Sequence, residues 1–278
     1  MLRFTPGIVA LCVFAMVGVV PAEPAANATP LQLHLRTRVE TFKGSGAWDE
    51  VTLARDFNGK ETAIVICDVW DKHWCDNATE RCGVLAKKIA AVLPMARALG
   101  ITVIHAPSEC MDFYKDTPQR KRLADVKRIA MPELLKLNDP PLPVDDSDGG
   151  CDDEKPVKFF KAWTRQHAAI AITDEDGTSD NGDEIYSFLR ERGIKNVIFM
   201  GVHTNMCVLG RSFAIRRMTR LGIHCILARD LTDSMYNPKM KPFVNHDEGT
   251  ELIVQHIEKY WCPTILSKDF SKEAEQGK

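Results

Sequence analysis

The sequence predicts an α/β protein built on a mostly parallel sheet with helices covering both faces. Three observations carry this. Short, continuous apolar runs recur along the chain, as strands buried on both faces require. Between them lie stretches with apolar residues at steps of three and four, which is helical spacing. At 278 residues, 45% of them hydrophobic, the chain is long and apolar enough to bury one large core.

The first segment stands apart from that pattern. Arg3 gives a short positive start, Ile8 to Val20 is almost wholly apolar, and Val20-Pro21-Ala22 offers small residues for a cut after Ala22. This is the composition of a signal peptide, and the apolar stretch is short for a spanning helix. Residues 1–22 are expected to be removed, leaving a secreted or periplasmic protein with no membrane anchor. Residues 23–60 read as an N-terminal extension that begins with a flexible linker over 23–30.

The regular domain is expected over 61–270, followed by a tail over 271–278. Ala63-Ile64-Val65-Ile66-Cys67 is a buried strand that ends at Asp68. A helix follows with Leu85, Ile89, Val92, Ala96 and Leu99 on one face, a kink point at Pro94 and a stop at Gly100. Ile101 to His105 is the next strand. Residues 106–160 lose periodicity and are rich in proline, so they read as a loop-rich insertion with one helix near Arg120–Leu137. Order returns with a strand at Ala168–Ile172 and a helix face marked by Ile185, Phe188, Leu189 and Arg192. A strand at Val197–Val202 leads into a helix from about Asn205 or Cys207 to Leu221. A strand at His224–Ala228, a helix at Glu251–Tyr260 and a short strand at Pro263–Leu266 complete the alternation, which makes a parallel sheet with both faces covered.

Composition excludes some functions. The net charge is −2 and Lys and Arg are scattered, so there is no basic stripe for nucleic acid. Of nine cysteines, Cys12 leaves with the signal peptide. Export permits disulfides. Cys75 and Cys82 are near enough in sequence to close a small loop, and Cys110 and Cys151 share the irregular middle section, but spacing does not fix connectivity. There is no CxxC and no zinc-type Cys/His spacing, so neither metal nor cofactor is expected. Asp145-Asp146-Ser147-Asp148-Gly149 hints at a calcium loop, yet Val157 stands where the closing Glu would be.

In an open parallel sheet, ligands bind beyond the carboxyl ends of the strands. Asp68 ends one strand, and Val202-His203-Thr204-Asn205-Met206-Cys207 follows another, so the two can meet at one sheet edge. A thiol at a helix start feels the positive end of the helix dipole, and free N–H groups there can hold an oxyanion. A neighbouring carboxylate can take the thiol proton. On position alone, Cys207 reads equally well as a nucleophile or as a small buried residue.

Ala63-Ile64-Val65-Ile66-Cys67-Asp68-Val69 resembles the opening strand of the isochorismatase-like cysteine hydrolases, which ends in a catalytic Asp. Gly201-Val202-His203-Thr204-Asn205-Met206-Cys207-Val208 is similar to that family's signature around its nucleophilic cysteine. The likeness spans roughly 63–105 and 168–266. It implies a three-layer α/β/α Rossmann-like fold, often oligomeric, so a homo-oligomer is a possible state. It implies Cys207 as nucleophile and Asp68 as base, and a cis peptide at Val202-His203 that helps shape an oxyanion hole.

The sequence departs from the family twice. The family's catalytic lysine, at its usual spacing before the cysteine, falls on Asp174, and no lysine lies nearby. Lys161 and Arg165 precede the strand, and Arg211 follows Cys207 by one helical turn. Arg165 and Arg211 are the candidate substitutes. The metal-site pattern of the family's nicotinamidases is also missing after His105. Asp71, His73 and His105 form an alternative cluster, and are expected to line the substrate pocket or pack locally rather than bind metal. Trp70 and Trp74 would give that pocket an aromatic wall, with His203 and Thr204 beside the thiol as further substrate-binding candidates.

The expected function is hydrolysis of a small-molecule amide or related C–N bond through a thioester. The alternatives are an exported binding protein that has lost catalysis, or a vinyl-ether hydrolase that uses the aspartate alone.

Overall fold

The computed structural model describes residues 31–155 and 158–271. The expected signal peptide and most of the tail lie outside them. The strands are β1 (Leu31–Glu40), β2 (Trp48–Phe57), β3 (Thr62–Cys67), β4 (Thr102–Ala106), β5 (Gly177–Thr178), β6 (Asn196–Val202), β7 (His224–Asp233) and β8 (Thr264–Ile265). The helices are α1 (Asp76–Ala98), α2 (Met111–Tyr114), α3 (Pro118–Ala124), α4 (Gly182–Glu191), α5 (Cys207–Gly210), α6 (Ile215–Arg220) and α7 (His246–Tyr260). The strands form one sheet in the order β2-β1-β8-β7-β6-β3-β4-β5. From β8 to β5 all pairs are parallel, whereas β1 pairs antiparallel with both β2 and β8.

The predicted three-layer α/β/α architecture is the one observed. Successive residues of β3 point to opposite faces, as the strand period requires. Ala63, Val65 and Cys67 join a core covered by α4, α6 and α7. Ile64 and Ile66 join a second core covered by α1. All six residues of β3 and all seven of β6 are buried, which explains why both read as continuous apolar runs.

Four expectations differ from the structure. Ala168–Ile172 is not a strand. Of that run only Ile170 is buried, and alanines offer too little apolar area to hold a sheet position. The edge place beside β4 is taken by Gly177–Thr178, paired with Ile104 and His105. The helix near Arg120–Leu137 shrinks to α3, capped by Thr117, and the chain beyond Ala124 is irregular, with Leu134 and Leu135 exposed and Pro132 unable to donate. The helix after Cys207 is split into α5 and α6, because Arg211 leaves helical geometry at ψ 157. Residues 31–57, read as extension, are a ten-by-ten-residue hairpin that extends the sheet by two strands.

One glycine positions the site. Gly201, at φ 117, lies where β6 passes β3, and a Cβ there would collide with the Cys67 carbonyl. Any side chain at 201 would push apart the strand ends that carry Asp68 and the Cys207 loop.

Candidate active site

Asp68 follows β3 in the left-handed region, at φ 48, a conformation that aspartate tolerates better than most residues. Its N–H donates to the Ala106 carbonyl at 3.1 Å, which fixes it against the end of β4. The carboxylate is fully buried. One oxygen accepts from the Ser108 N–H at 2.7 Å and the other from Arg211 Nε at 2.9 Å.

Cys207 arrives from β6. After the cis Val202-His203 peptide, the N–H groups of Met206 and Val208 both donate to the His203 carbonyl, at 3.0 and 3.2 Å. The Cys207 N–H between them has no hydrogen-bond partner among the described residues. The Asp68 carboxylate raises the proton affinity of the Cys207 thiol, and the His203 backbone amide lowers it. Asn205 braces this turn. Its side chain accepts from the Met235 N–H at 2.8 Å and donates to Asp146 at 2.8 Å.

Thiol, carboxylate and guanidinium therefore form one cluster. Burial raises the Asp68 carboxyl above the ordinary carboxylate range, and Arg211, the thiol and the Ser108 amide hold it back. Burial and the Asp68 charge push the Cys207 thiol well up, against the pull of Arg211. The sulfur therefore rests as a thiol.

A cavity of about 550 Å³ opens onto the cluster, lined by Trp70, His73, Trp74, Trp163, His203 and Met206 among others. Trp70 and Trp163 stack at 4.0 Å, and His73 meets His203 edge-on at 4.9 Å. Burial lowers His73 to about 4 and His203 to about 3, so both rings are neutral at pH 7. His203 Nε2 and Trp163 Nε1 are buried without a hydrogen-bond partner among the described residues.

Cys207, Asp68, Arg211, Trp70, His73, Trp74 and His203 thus gather as the sequence predicts. Three other candidates do not. Arg165 is half exposed, lies 4.0 Å from Asp71 and covers the Phe113 ring. His105 is fully buried away from the cavity, with its ring nitrogens 2.9 Å from Gln166 and 3.1 Å from Asp176. Thr204 turns its hydroxyl to Thr232 at 2.7 Å. Asp71, His73 and His105 are therefore not one cluster, since Asp71 is held by Thr164. Asp174, at the expected lysine position, is exposed and adds no charge to the site. In the acidic run, Asp146 and Asp148 accept from Asn205 and Asn237. Sequence reasoning missed Ser108, whose contribution is a backbone N–H, and Trp163, which lies in the irregular stretch just past the insertion.

A family model described as the isochorismatase domain matches residues 166–246. No curated protein matches the chain. Among solved structures, a cysteine hydrolase from Pseudomonas syringae pv. phaseolicola 1448A is similar at 17% identity, over 77% of this chain and 92% of its own, with a TM-score of 0.49. An isochorismatase family protein from Burkholderia thailandensis is similar at 15% identity, over 76% of this chain and 93% of its own, with a TM-score of 0.44. An isochorismatase from Pseudomonas putida KT2440 is similar at 12% identity, over 76% and 90%, with a TM-score of 0.44.

Proposed function

We propose that this α/β protein, whose residues 166–246 match the isochorismatase-domain model, is a cysteine-dependent hydrolase that opens a small-molecule amide or related C–N bond through a thioester. The observation that carries this reading is the cluster of part-buried Cys207 and Arg211 around the buried Asp68, under an aromatic cavity. Asp68 accepts the thiol proton as the Cys207 sulfur attacks the carbonyl carbon. The free Cys207 N–H, with that of His203, holds the oxygen that becomes negative. Collapse of the adduct breaks the C–N bond, and the amine leaves with the proton Asp68 has taken. Asp68 then takes a proton from water as it attacks the thioester, which releases the acid and restores the thiol.

Arg211 is the positioning residue of this scheme. It offsets the charge of Asp68 and of the sulfur, the task the absent lysine would perform, and it does so from the loop after α5. The buried, unpartnered His203 Nε2 and Trp163 Nε1 are suited to hydrogen bonds with the substrate, and the indole rings to a flat apolar group. The Arg3 start, the apolar Ile8–Val20 run and the Ala22 site support an exported protein.

A screen of small amides tests this. Turnover of at least one amide by the wild type, lost in both Cys207→Ala and Asp68→Asn, is the expected result. Turnover surviving in Cys207→Ala with loss in Asp68→Asn would replace the thiol route by aspartate chemistry alone.

A further inference from the structure

The insertion is docked on the start of α1 by polar bonds as well as packing. Asp153 accepts from the N–H groups of Asp76 and Asn77, each at 2.9 Å. It thereby caps a helix whose own N-cap residue, Cys75, makes no side-chain cap bond. Arg81, on the same helix, holds Asp152 through two bonds of 2.8 and 3.1 Å, and its Nε reaches Asp233 at 3.0 Å. Between these fixed points Cys75 and Cys151 face each other. Both are buried, and their sulfurs lie with an Asp153 oxygen within 4.8 Å of one another.

We propose that Cys75 and Cys151 are joined by a disulfide when the protein matures in an oxidising compartment. This is a different pairing from the two that sequence spacing suggests. Cys82 hydrogen-bonds the Trp70 carbonyl. Cys110, at the N-terminal end of α2, packs in the same apolar cluster but is not in the group of ligand atoms that Cys75, Cys151 and Asp153 form. A metal site fits the same three residues less well. The Asp153 oxygens already serve the two helix amides, and a structural zinc wants four ligands where three gather.

The chemistry balances with a low-molecular-weight disulfide, such as glutathione disulfide, as oxidant. The thiolate of one cysteine attacks it, forming a mixed disulfide and expelling one thiolate. The second cysteine then attacks the protein sulfur, closing the Cys75–Cys151 bond and expelling the other. Two electrons and two protons pass to the oxidant. Burial raises both thiols in the folded protein, so closure belongs to the stage at which the insertion docks. The bond would tie the insertion to the segment that carries Trp70, His73 and Trp74, and Gly149 of the insertion already packs on the Trp74 ring. It would hold shut the aromatic wall of the cavity.

The test is made on protein produced in a compartment that forms disulfides, then denatured with iodoacetamide and no reductant before peptide mapping. A cross-linked peptide pair containing Cys75 and Cys151, lost on reduction, is the expected result. Reduction of the folded protein should lower Tm by roughly 5–10 °C, and this fall should vanish in Cys75→Ser. The proposal is overturned if both cysteines are alkylated without reductant. It is overturned equally if either is bonded to another cysteine, or if the protein carries one equivalent of zinc released together with both thiols.

Discussion

Replacing Arg211 by Met removes the charge beside Asp68 while keeping most of the bulk. At the observed 2.9 Å, unit charges in a medium of effective dielectric about 20 attract by about 6 kcal/mol. One side of the guanidinium is open to solvent, which screens roughly half of this and leaves about 3 kcal/mol. Burial already holds the Asp68 carboxyl above the ordinary range and Arg211 is the largest influence opposing that, so its loss moves the carboxyl further up. The sign for activity follows. Asp68 is a base only when ionised, so activity is present above its pKa and lost as pH falls through it. In Arg211→Met the acid limb of kcat/KM should therefore move to higher pH. The thiol rises too, because Arg211 also pulls Cys207 down, so labelling by iodoacetamide should need higher pH in the variant. Arg165→Met, which removes only a half-exposed neighbour of Asp71, should leave both profiles unchanged. Superimposable wild-type and Arg211→Met profiles would refute the reasoning. The cluster would then work on backbone dipoles or on another cation.

Four further outcomes are expected. His105→Ala should lower stability in urea by about 2–3 kcal/mol with kcat/KM unchanged, since the ring serves Asp176 and Gln166 rather than substrate. Asp176 is held well below the ordinary carboxylate range by His105 and Arg97 despite its burial, so its contribution is full above about pH 4 and lost below it as pH falls toward the folded value. The penalty of Asp176→Asn, read from urea curves, should shrink across that window. Trp163→Phe keeps the stacked ring and removes the unpartnered N–H, so KM should rise roughly tenfold with little change in Tm. N-terminal sequencing of protein from an exporting host should begin near Glu23, and a start at Met1 would count against export.

The sheet was legible where burial on both faces imposes a continuous apolar run, as at Ala63–Cys67 and Val197–Val202. It was misread at Ala168–Ile172, where alanine and isoleucine mimic such a run without the area to hold it. The β1 hairpin strand carried a usable signal. Leu31, Leu33 and Leu35 alternate with polar residues, the pattern of a strand buried on one face, and the two leucines at 31 and 33 are buried. That Asp68 and Cys207 meet was legible because both follow strand ends that the parallel sheet brings to one edge, whereas the role of Cys207 rested on the family resemblance. Arg211 was legible by spacing, although the helix that justified the spacing breaks at that residue. Trp163 and the Cys75–Cys151 approach were not, because both depend on how the insertion and the irregular stretch after it fold back over the sheet edge. His105 and Thr204 lie beside the site in sequence, but their strand and turn geometry points them into polar networks.

The central claim is a covalent bond between Cys207 and the acyl part of the substrate. Intact-mass measurement of protein quenched in acid during turnover of an amide tests it most directly. A mass increase equal to the acyl group, mapped to Cys207 and removed by hydroxylamine, is the predicted result. Rapid turnover by the wild type without any adduct, matched by an equally active Cys207→Ala, would contradict the account.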